Sequence, residues 1–402
     1  MKSLTFQLGS TITLGKNIWM FAITGGPCSG KTSGLAKLVQ VLKDRGYKVL
    51  ICAESATKLI SGGICPKEID SNTFQRQILL DTLMQEERMM EAAIAFRDLG
   101  HKVVILCDRG AMDGMAYVGE EQFEQLCAGL SLSFHDICNQ RYHAVMHLRT
   151  TALGAESSYT LENNPARSEP LDAARLLDQR TLEAWQRHHH PRVIDNAPSF
   201  DLKLEKLLAE VLGVLGDPVP IEREQKFLIE SLDLLTLQSM SVRVTTSFIV
   251  QDYLLPAPHS ATEGIENGER RVRARSDKSG TSYFYTVKKH IRPGERFEVE
   301  RMISQSEYEE LLALKDPRLQ TIKKQRLCFF WKNQFIEVDL FKNPHGLFLM
   351  EIEQSELQRD LILPLFIKVV EDVTDDKRYS NRELAGGSLR SAMLRSSWFH
   401  AT

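Results

Sequence analysis

The spacing of apolar positions divides the chain into two halves. Between Ile18 and about Gly216, short apolar runs alternate with longer segments in which apolar residues recur at helical spacing. Strands that alternate with helices are typical of a parallel sheet covered by helices on both faces. The pattern predicts strands over residues 18–24, 47–53, 102–107, 144–149 and 192–194, and helices over residues 31–45, 72–99 and 171–188.

After a breaker-rich linker at residues 213–220, apolar residues alternate with charged ones. This period of two predicts strands. It is clear in residues 271–275, 297–300, 335–339 and 348–353. Because charges of both signs recur on successive strands, an antiparallel barrel with a charged interior explains the pattern better than a solvated sheet face. The predicted organisation is an N-terminal extension (1–17), an α/β domain (18–216) and an α+β barrel domain (217–402).

The composition bears on three functional classes: nucleic-acid binding, cysteine-based sites and membrane proteins. The chain has 402 residues, of which 43% are hydrophobic and 26% charged, and its net charge is −3. No binding of nucleic acid through a basic surface is therefore expected. Seven scattered cysteines without a CxxC pair predict reduced core thiols in a cytosolic protein. No apolar stretch approaches the roughly 20 residues that span a bilayer.

The clearest motif follows the first predicted strand. It fits the pattern G-x-x-x-x-G-K-[ST] and opens a predicted helix, which is the context of a P-loop. Lys31 is expected to neutralise the outer phosphates and Thr32 to bind Mg²⁺. The residues predicted to bind a nucleoside triphosphate, either GTP or ATP, are Gly25, Gly26, Pro27, Cys28, Ser29, Gly30, Lys31, Thr32, Ser33 and Arg109.

Two acidic residues follow predicted strands. Asp108 ends the apolar run 103–107, where a carboxylate can orient Mg²⁺ through water. The pair Asp108-Arg109 resembles that of thymidylate-kinase-like and deoxynucleoside-kinase-like P-loop proteins. In such kinases a carboxylate at the position of Glu54 lies near the phosphoryl acceptor. Glu54 is equally interpretable as an acid at a helix N-terminus.

A polar segment at residues 154–171 interrupts the α/β pattern and is interpreted as a lid, with a plain surface loop as the alternative. Arg167 in this segment is predicted to contact a γ-phosphate, and Arg175 and Arg180 on the following helix are alternatives.

The second half opens with Glu222, Glu224 and Lys226, which share one face of a strand. This E-x-E-x-K pattern resembles the start of the CYTH domain, the fold of class IV adenylyl cyclases and triphosphate tunnel enzymes. The resemblance continues with basic strand positions, which would bind the anion, and acidic ones, which would hold Mg²⁺ or Mn²⁺. The basic positions are Lys226, Arg271, Arg273, Arg275, Lys288, Lys324 and Arg326. The acidic positions are Glu222, Glu224, Glu298, Glu300, Asp339, Glu351 and Glu353.

A P-loop domain followed by a CYTH-like domain resembles the TRPL translocation defect protein family, whose P-loop part is similar to a ribosylnicotinamide kinase domain. The resemblance implies GTP or ATP binding, binding of phosphoinositide or phosphatidic acid, and a role in membrane trafficking. The basic segment 382–395 is interpreted either as a peripheral membrane contact or as a helix packed on the barrel.

Two functional hypotheses follow. In the first, a regulatory protein hydrolyses its nucleotide slowly, and the nucleotide gates binding of a polyphosphate or a lipid head group in the barrel. In the second, the chain is an enzyme, either a small-molecule kinase or a metal-dependent triphosphatase. The resemblance over the whole chain favours regulated binding.

Overall fold

The computed structural model describes residues 17–156, 170–217, 221–256, 268–292, 295–353 and 361–389; the side chains of 221–223, 289–292, 295–297, 345 and 353 are outside the description. The chain divides into two compact units between Leu215 and Gly216. Each unit has its own sheet. No helix among the described residues is long and apolar enough to cross a membrane.

The first unit is an α/β domain. Its strands are β1 (Ile18–Gly25), β2 (Lys48–Cys52), β3 (Val103–Asp108), β4 (Ala144–Leu148) and β5 (Pro191–Ile194). They form a parallel sheet in the order β2-β3-β1-β4-β5. Since β1 and β4 are buried along nearly their whole length, helices must cover both faces of the sheet.

Helices pack on this sheet through two apolar clusters. The helices are α1 (Lys31–Asp44), α2 (Ser55–Ser61), α3 (Ser71–Asp98), α4 (Met115–Val118), α5 (Glu120–Gly129), α6 (Phe134–Asn139), α7 (Leu171–Ala184) and α8 (Phe200–Leu215). One cluster includes Leu83 of α3 and Met20 of β1. The other joins Leu38 of α1 to Leu207 of α8. Parallel strands turn all their carboxyl ends to one edge of the sheet, and this edge carries the candidate site.

The second unit is an antiparallel barrel. Its strands are β6 (Ile221–Leu232), β7 (Thr245–Tyr253), β8 (Glu269–Ser276), β9 (Thr281–Arg292), β10 (Glu295–Ile303), β11 (Ile322–Trp331), β12 (Gln334–Asn343), β13 (His345–Glu353) and β14 (Ile367–Asp372). The strand order is β10-β9-β8-β7-β11-β12-β13-β6-β14. Because β10 also pairs with β6 at Phe297 and Ile221, the sheet closes on itself and β14 is attached outside the ring.

Apolar residues cover the outside of the barrel and one part of its interior. The outer clusters lie beside α9 (Leu234–Ser239) and α10 (Gln305–Leu312). A third cluster contains Tyr253 and Leu349 from strands and Leu384 from α11 (Asn381–Gly386). The rest of the inward face is charged. The predicted fold class, an α/β P-loop domain followed by a CYTH-like antiparallel barrel, is confirmed.

The structure corrects several predicted boundaries. The linker predicted over residues 213–220 begins later in the structure, because α8 continues to Leu215. The helix predicted over 171–188 ends at Ala184, and His188 lies beyond it, fully buried, with Nε2 3.1 Å from the carbonyl oxygen of Tyr142.

Candidate phosphate-binding sites

The P-loop joins β1 to α1. Gly25 ends β1 close to the neighbouring strand, since a Cβ there would lie 2.0 Å from the carbonyl oxygen of Leu148. Gly30 precedes α1 with φ of 88°, a conformation that glycine adopts without steric cost. The first amides of α1 have no partner within the helix, and the helix dipole favours negative charge at this end. The loop therefore places amide donors where a phosphate group would bind.

Lys31 holds its side chain within the loop. Its ammonium donates to the carbonyl oxygens of Gly25 and Gly26, both at 3.0 Å, and to Oγ of Ser29 at 3.3 Å. The residue is only 8% exposed. Burial lowers the pKa of Lys31 to about 7, and repulsion from Arg109 acts in the same direction. An anion beside this ammonium would therefore stabilise its charged form.

Thr32 and Asp108 carry the types of oxygen donor that a magnesium site requires. Thr32 is exposed in the first turn of α1. Burial raises the pKa of Asp108, and repulsion from the carboxylate of Glu54 adds to the increase. A cation bound by Asp108 would relieve both effects, and hydroxyl and carboxylate oxygens are the donors that Mg²⁺ prefers.

Glu54 and Arg109 form an ion pair across the strand ends. Nε of Arg109 lies 2.6 Å from Oε1 of Glu54, and the hydroxyl of Thr57 donates to Oε2 at 2.5 Å. Burial opposes ionisation of Glu54, but Arg109 and the Thr57 hydroxyl hold its pKa at about 2. Arg109 has φ of 71°, and this left-handed turn follows directly after Asp108. Glu54 also precedes the first residue of α2, as its interpretation as an acid at a helix N-terminus requires, and its position near a phosphoryl acceptor stays a prediction.

Asp113 orients Arg109, a role that no sequence pattern indicated. Its Oδ2 accepts from Nη1 of Arg109 at 3.0 Å and from the hydroxyl of Thr24 at 2.6 Å. Its Oδ1 accepts from the indole of Trp185 at 2.6 Å. Arg109 is therefore held on two sides, by Glu54 and by Asp113.

Asp178 of α7 connects the P-loop to the residues that follow β4 through hydrogen bonds and an ion pair. This fully buried carboxylate accepts from the amides of Gly26 and Thr150, both at 2.9 Å, and pairs with Arg149 at 2.8 Å. Burial opposes its ionisation, but His147 and Arg149 help to lower its pKa to about 2. A Cβ on Gly26 would lie 2.6 Å from that of Asp178, so glycine is required there. Asp178 is 152 residues away from Gly26 along the chain and lies within an ordinary helical pattern, so the sequence does not indicate this contact.

Of the arginines predicted to reach a γ-phosphate, Arg167 lies outside the described residues. Arg175 donates from Nε to the carbonyl oxygen of Ala152 at 2.7 Å and pairs with Glu156 and Asp172. Arg180 is exposed on α7.

In the barrel, one charged network joins β6, β11, β12 and β13. Arg326 contacts both oxygens of Asp339, at 2.7 and 2.6 Å, and donates to Glu351 at 2.8 Å. Lys324 donates to Asp339 at 2.5 Å, and Lys226 to Glu351 at 2.9 Å. Glu224 lies 3.4 Å from Lys226, and Glu337 pairs with Arg326. Burial opposes ionisation of Asp339 and Glu351, but the surrounding cations keep the pKa of both carboxyls below the ordinary range.

A second network joins β8, β9 and β10. Arg273 donates to Glu300 at 2.8 Å, and Arg271 to Glu298 at 3.3 Å. Lys288 also pairs with Glu298. The hydroxyl of Thr286 donates to the other oxygen of Glu300 at 2.8 Å. Because Arg271 and Glu300 both lie opposite Thr286 in the strand pairing, and Lys288 lies opposite Glu298, these side chains share one face of the sheet.

Positive charge is in excess where β7, β8 and β11 meet. Arg275 has no carboxylate partner among the described residues, and its Nη2 lies 4.0 Å from Sγ of Cys328. Nε of Arg273 and Oγ of Ser247 are buried without a hydrogen-bond partner in the described part. Burial lowers the pKa of Arg273, and repulsion from neighbouring arginines acts in the same direction; these are Arg271, Arg326 and Arg275. This wall of the barrel thus has unused donors for an anion.

The predicted metal ligands of the barrel are only partly described. The side chains of Glu222 and Glu353 lie outside the described part. Among the side chains that are described, no group of three or more histidine, cysteine, aspartate or glutamate residues is arranged to hold a metal ion. The described carboxylates, Glu224, Glu298, Glu300, Asp339 and Glu351, are instead paired with lysine or arginine.

Comparisons with known proteins were made for the whole chain. Residues 20–202 match the family model described as an AAA domain. No curated protein matches. Similar solved structures include the inorganic triphosphatase NE1496, which is 27% identical with a TM-score of 0.27; the match covers 41% of this chain and 94% of that one.

Two further structures are similar over 34% of this chain, each with a TM-score of 0.26. One is the PH1819 protein of Pyrococcus horikoshii OT3, which is 21% identical over 79% of its own length. The other, described as a putative adenylyl cyclase, HpAC1 from Hippeastrum, with a dominant triphosphatase activity, is 16% identical over 80% of its length.

The family match agrees with the P-loop geometry. Residues 20–202 include β1, the loop, Lys31 and the strand-end residues Glu54, Asp108 and Arg109. The first unit is an AAA-like P-loop domain, and nucleotide binding or triphosphate handling is the general activity that its residues support. The resemblance to the TRPL translocation defect family stays a prediction.

Proposed function

We propose that this protein binds a magnesium nucleoside triphosphate in its first unit and a polyphosphate, free or as a lipid head group, in its barrel. The nucleotide is hydrolysed slowly, and its presence in the first unit regulates the binding of the ligand in the barrel. The observation that carries the proposal is the presence of two separate sets of phosphate-type donors. One set consists of Lys31 and the amides that open α1; the other consists of the surplus arginines on β8.

Slow hydrolysis follows from the ion pair of Glu54. Activation of a water molecule requires a base whose pKa lies near the working pH. Glu54 has a pKa of about 2 and is held by Arg109, so it is a weak base at neutral pH. Arg109, Lys31 and a magnesium ion at Thr32 and Asp108 would supply electrostatic stabilisation of the phosphates without a strong base.

In the barrel the proposal assigns the anion to the wall with excess positive charge. Lys324, Lys226 and Arg326 are already compensated by Asp339 and Glu351. Arg273 and Arg275 retain donors, and Ser247 offers an additional hydroxyl. A triphosphate carries several negative charges, which guanidinium groups bind with paired hydrogen bonds.

An enzymatic alternative rests on the carboxylates that face the same interior. If Glu222 and Glu224 hold a metal ion, the barrel would cleave the anion instead of only binding it. The position of Glu54 beside Arg109 similarly favours a kinase as the alternative activity of the first unit.

The test compares wild type, Lys31→Ala and the double variant Arg273→Ala/Arg275→Ala. Magnesium-dependent binding of GTP and ATP is measured by equilibrium dialysis, and binding of tripolyphosphate or of vesicles containing phosphatidic acid or a phosphoinositide is measured separately. We expect Lys31→Ala to weaken nucleotide binding at least about 10-fold, since it removes a charge-assisted hydrogen bond. The barrel variant should lose the tripolyphosphate or vesicle binding of the barrel, should keep one equivalent of tripolyphosphate at the P-loop, and should bind nucleotide like wild type.

Controls define the outcomes. Lys37→Ala, an exposed lysine on α1 away from the loop, should bind nucleotide like wild type. Loss of both ligands in folded Lys31→Ala would overturn the two-site proposal. Rapid turnover of tripolyphosphate that disappears in Glu222→Ala/Glu224→Ala would establish the triphosphatase instead.

A further inference from the structure

An aromatic ring lies against the P-loop and is not used by the groups described above. Phe200, the first residue of α8, is 46% exposed. Its ring packs on Gly30, where an added Cβ would lie 2.6 Å from Cε2 and 3.0 Å from Cζ. The ring is therefore placed beside the glycine that precedes α1, with nearly half of its surface accessible to solvent.

The order of the strands separates two sides of the phosphate site. The P-loop follows β1, the central strand. On one side, β3 and β2 end at Asp108, Arg109 and Glu54, which are charged. On the other side, the charges that follow β4 are paired with one another, Arg149 with Asp178, and the segment after β5 leads to Phe200. A flat, weakly polar base is disfavoured among buried charges, and among these groups the exposed ring of Phe200 offers it an apolar face.

Hydrogen bonds fix the segment that carries Phe200. The hydroxyl of Thr150 donates to the carbonyl oxygen of Pro27 at 2.5 Å, which joins the end of β4 to the P-loop. The side-chain amide of Asn196 donates to the carbonyl oxygens of Thr150 and Leu153, at 2.8 and 2.7 Å. Lys203 of α8 donates to Asn196 at 2.7 Å and to the carbonyl oxygen of Arg149 at 2.6 Å.

These hydrogen bonds connect both the P-loop and the start of α8 to the residues that follow β4. Oγ of Ser199 accepts from the amide of Leu202 at 3.2 Å and caps the helix immediately before Phe200. The backbone that carries the ring is therefore already fixed before a ligand arrives, which lowers the conformational entropy that stacking costs.

We propose that Phe200 is the stacking platform for the purine base of the bound nucleotide. This inference rests on the proposed nucleotide binding at Lys31 and adds the position of the base. Stacking uses the face of the base, whereas guanine and adenine differ at their hydrogen-bonding edges. The side chain of Asn196, which could read an edge, is already bonded to the backbone. Phe200 therefore holds adenine and guanine nucleotides with similar strength.

The test measures displacement of a ribose-labelled fluorescent ADP from the full chain by unlabelled ADP, GDP and pyrophosphate in the presence of Mg²⁺. Phe200→Ala should weaken the binding of ADP and GDP about 5- to 150-fold, the range for loss of one base-aromatic stack. Pyrophosphate has no base and should compete as in wild type. Phe200→Trp should restore nucleotide binding, because indole also stacks.

The matched control is Leu99→Ala, which removes another exposed apolar side chain, 75% exposed and located at the end of α3. It should behave like wild type. Unchanged affinity for ADP in Phe200→Ala, or an equal loss of pyrophosphate affinity, would overturn the inference. Lys31→Ala tests the proposed nucleotide binding separately, since it should weaken the binding of ADP, GDP and pyrophosphate alike. If Lys31→Ala weakens the binding of none of them, the proposed nucleotide site itself is wrong.

Discussion

At the scale of single residues, the protein buries charged groups and surrounds each with specific partners. Lys31, Asp178 and Asp339 are all at least nine-tenths buried. Each is held by atoms from other elements or from the P-loop itself. Removing one member of such a set leaves an uncompensated charge, which costs more than the pair itself contributes.

Lys31 predicts a pH dependence of nucleotide binding. Its pKa of about 7 in the free protein means that the ammonium loses its proton just above neutrality. A bound phosphate favours the charged form, so binding takes up a proton, and affinity for MgADP should fall as the pH rises from 7 to 9. Calorimetry in buffers of different ionisation enthalpy measures the uptake. In Lys31→Arg the uptake should vanish because guanidinium stays charged; an unchanged uptake would contradict this origin.

Asp339 predicts a large loss of stability on substitution. Asp339→Asn removes the carboxylate that pairs with buried Lys324 and takes one of three described carboxylate partners from Arg326, and it should lower the free energy of unfolding by about 3–5 kcal/mol. The pKa of Asp339 is lowered, so its contribution is present above the ordinary value of 3.8 and is lost as the pH falls below it. The difference between variant and wild type should therefore shrink in acid.

The control for this substitution is Asp98→Asn, which breaks the pair of an aspartate that is 62% exposed with Arg97. This substitution should lower the free energy of unfolding by less than about 1 kcal/mol. Equal losses for the two variants in urea unfolding would show that the buried network has no special role in stability.

At the scale of elements, α7 determines the shape of the P-loop. Gly26→Ala should lower the free energy of unfolding by about 1–3 kcal/mol, because the new methyl group meets Cβ of Asp178 at 2.6 Å. Gly129→Ala is the matched control, since a Cβ at Gly129 has no neighbour within 4 Å. Calorimetric melting of both variants tests this; a Gly26→Ala protein that melts like Gly129→Ala would rule out the close contact.

The sequence allowed most elements of the fold to be predicted because they have strong periodicity. The apolar run before Asp108 and the alternation at Arg271, Arg273 and Arg275 each correspond to a strand. β7 was missed, since its sequence mixes threonine, serine and glutamine with apolar residues and carries no charged alternation. It is recognisable only through pairing with β8 and β11.

The candidate site was predictable only in its local parts. Lys31 and Thr32 lie within one motif, and Asp108 and Arg109 end an apolar run. Asp178 and Phe200 join the loop from α7 and α8, and their contacts depend on how these helices pack. Periodicity predicts that a helix exists but not which of its residues will meet a distant loop.

At the scale of the whole molecule, the chain carries two phosphate-type environments of different construction. The first uses backbone amides and Lys31 at a helix start, where the donors come from one short segment. The second uses side chains from opposed strands. There Arg273 pairs with Glu300, whereas Arg275 contacts Sγ of Cys328 and adds positive charge without a carboxylate among the described residues. Since the two units have separate cores, loss of one anion site should leave the other unit folded.

The most direct measurement is the stoichiometry of tripolyphosphate binding, determined by titration calorimetry with Mg²⁺ present. Two equivalents should bind to the wild-type chain, one to Lys31→Ala and one to Arg273→Ala/Arg275→Ala. Binding of a single equivalent to the wild type, abolished by either variant alone, would contradict the account of two separate phosphate sites.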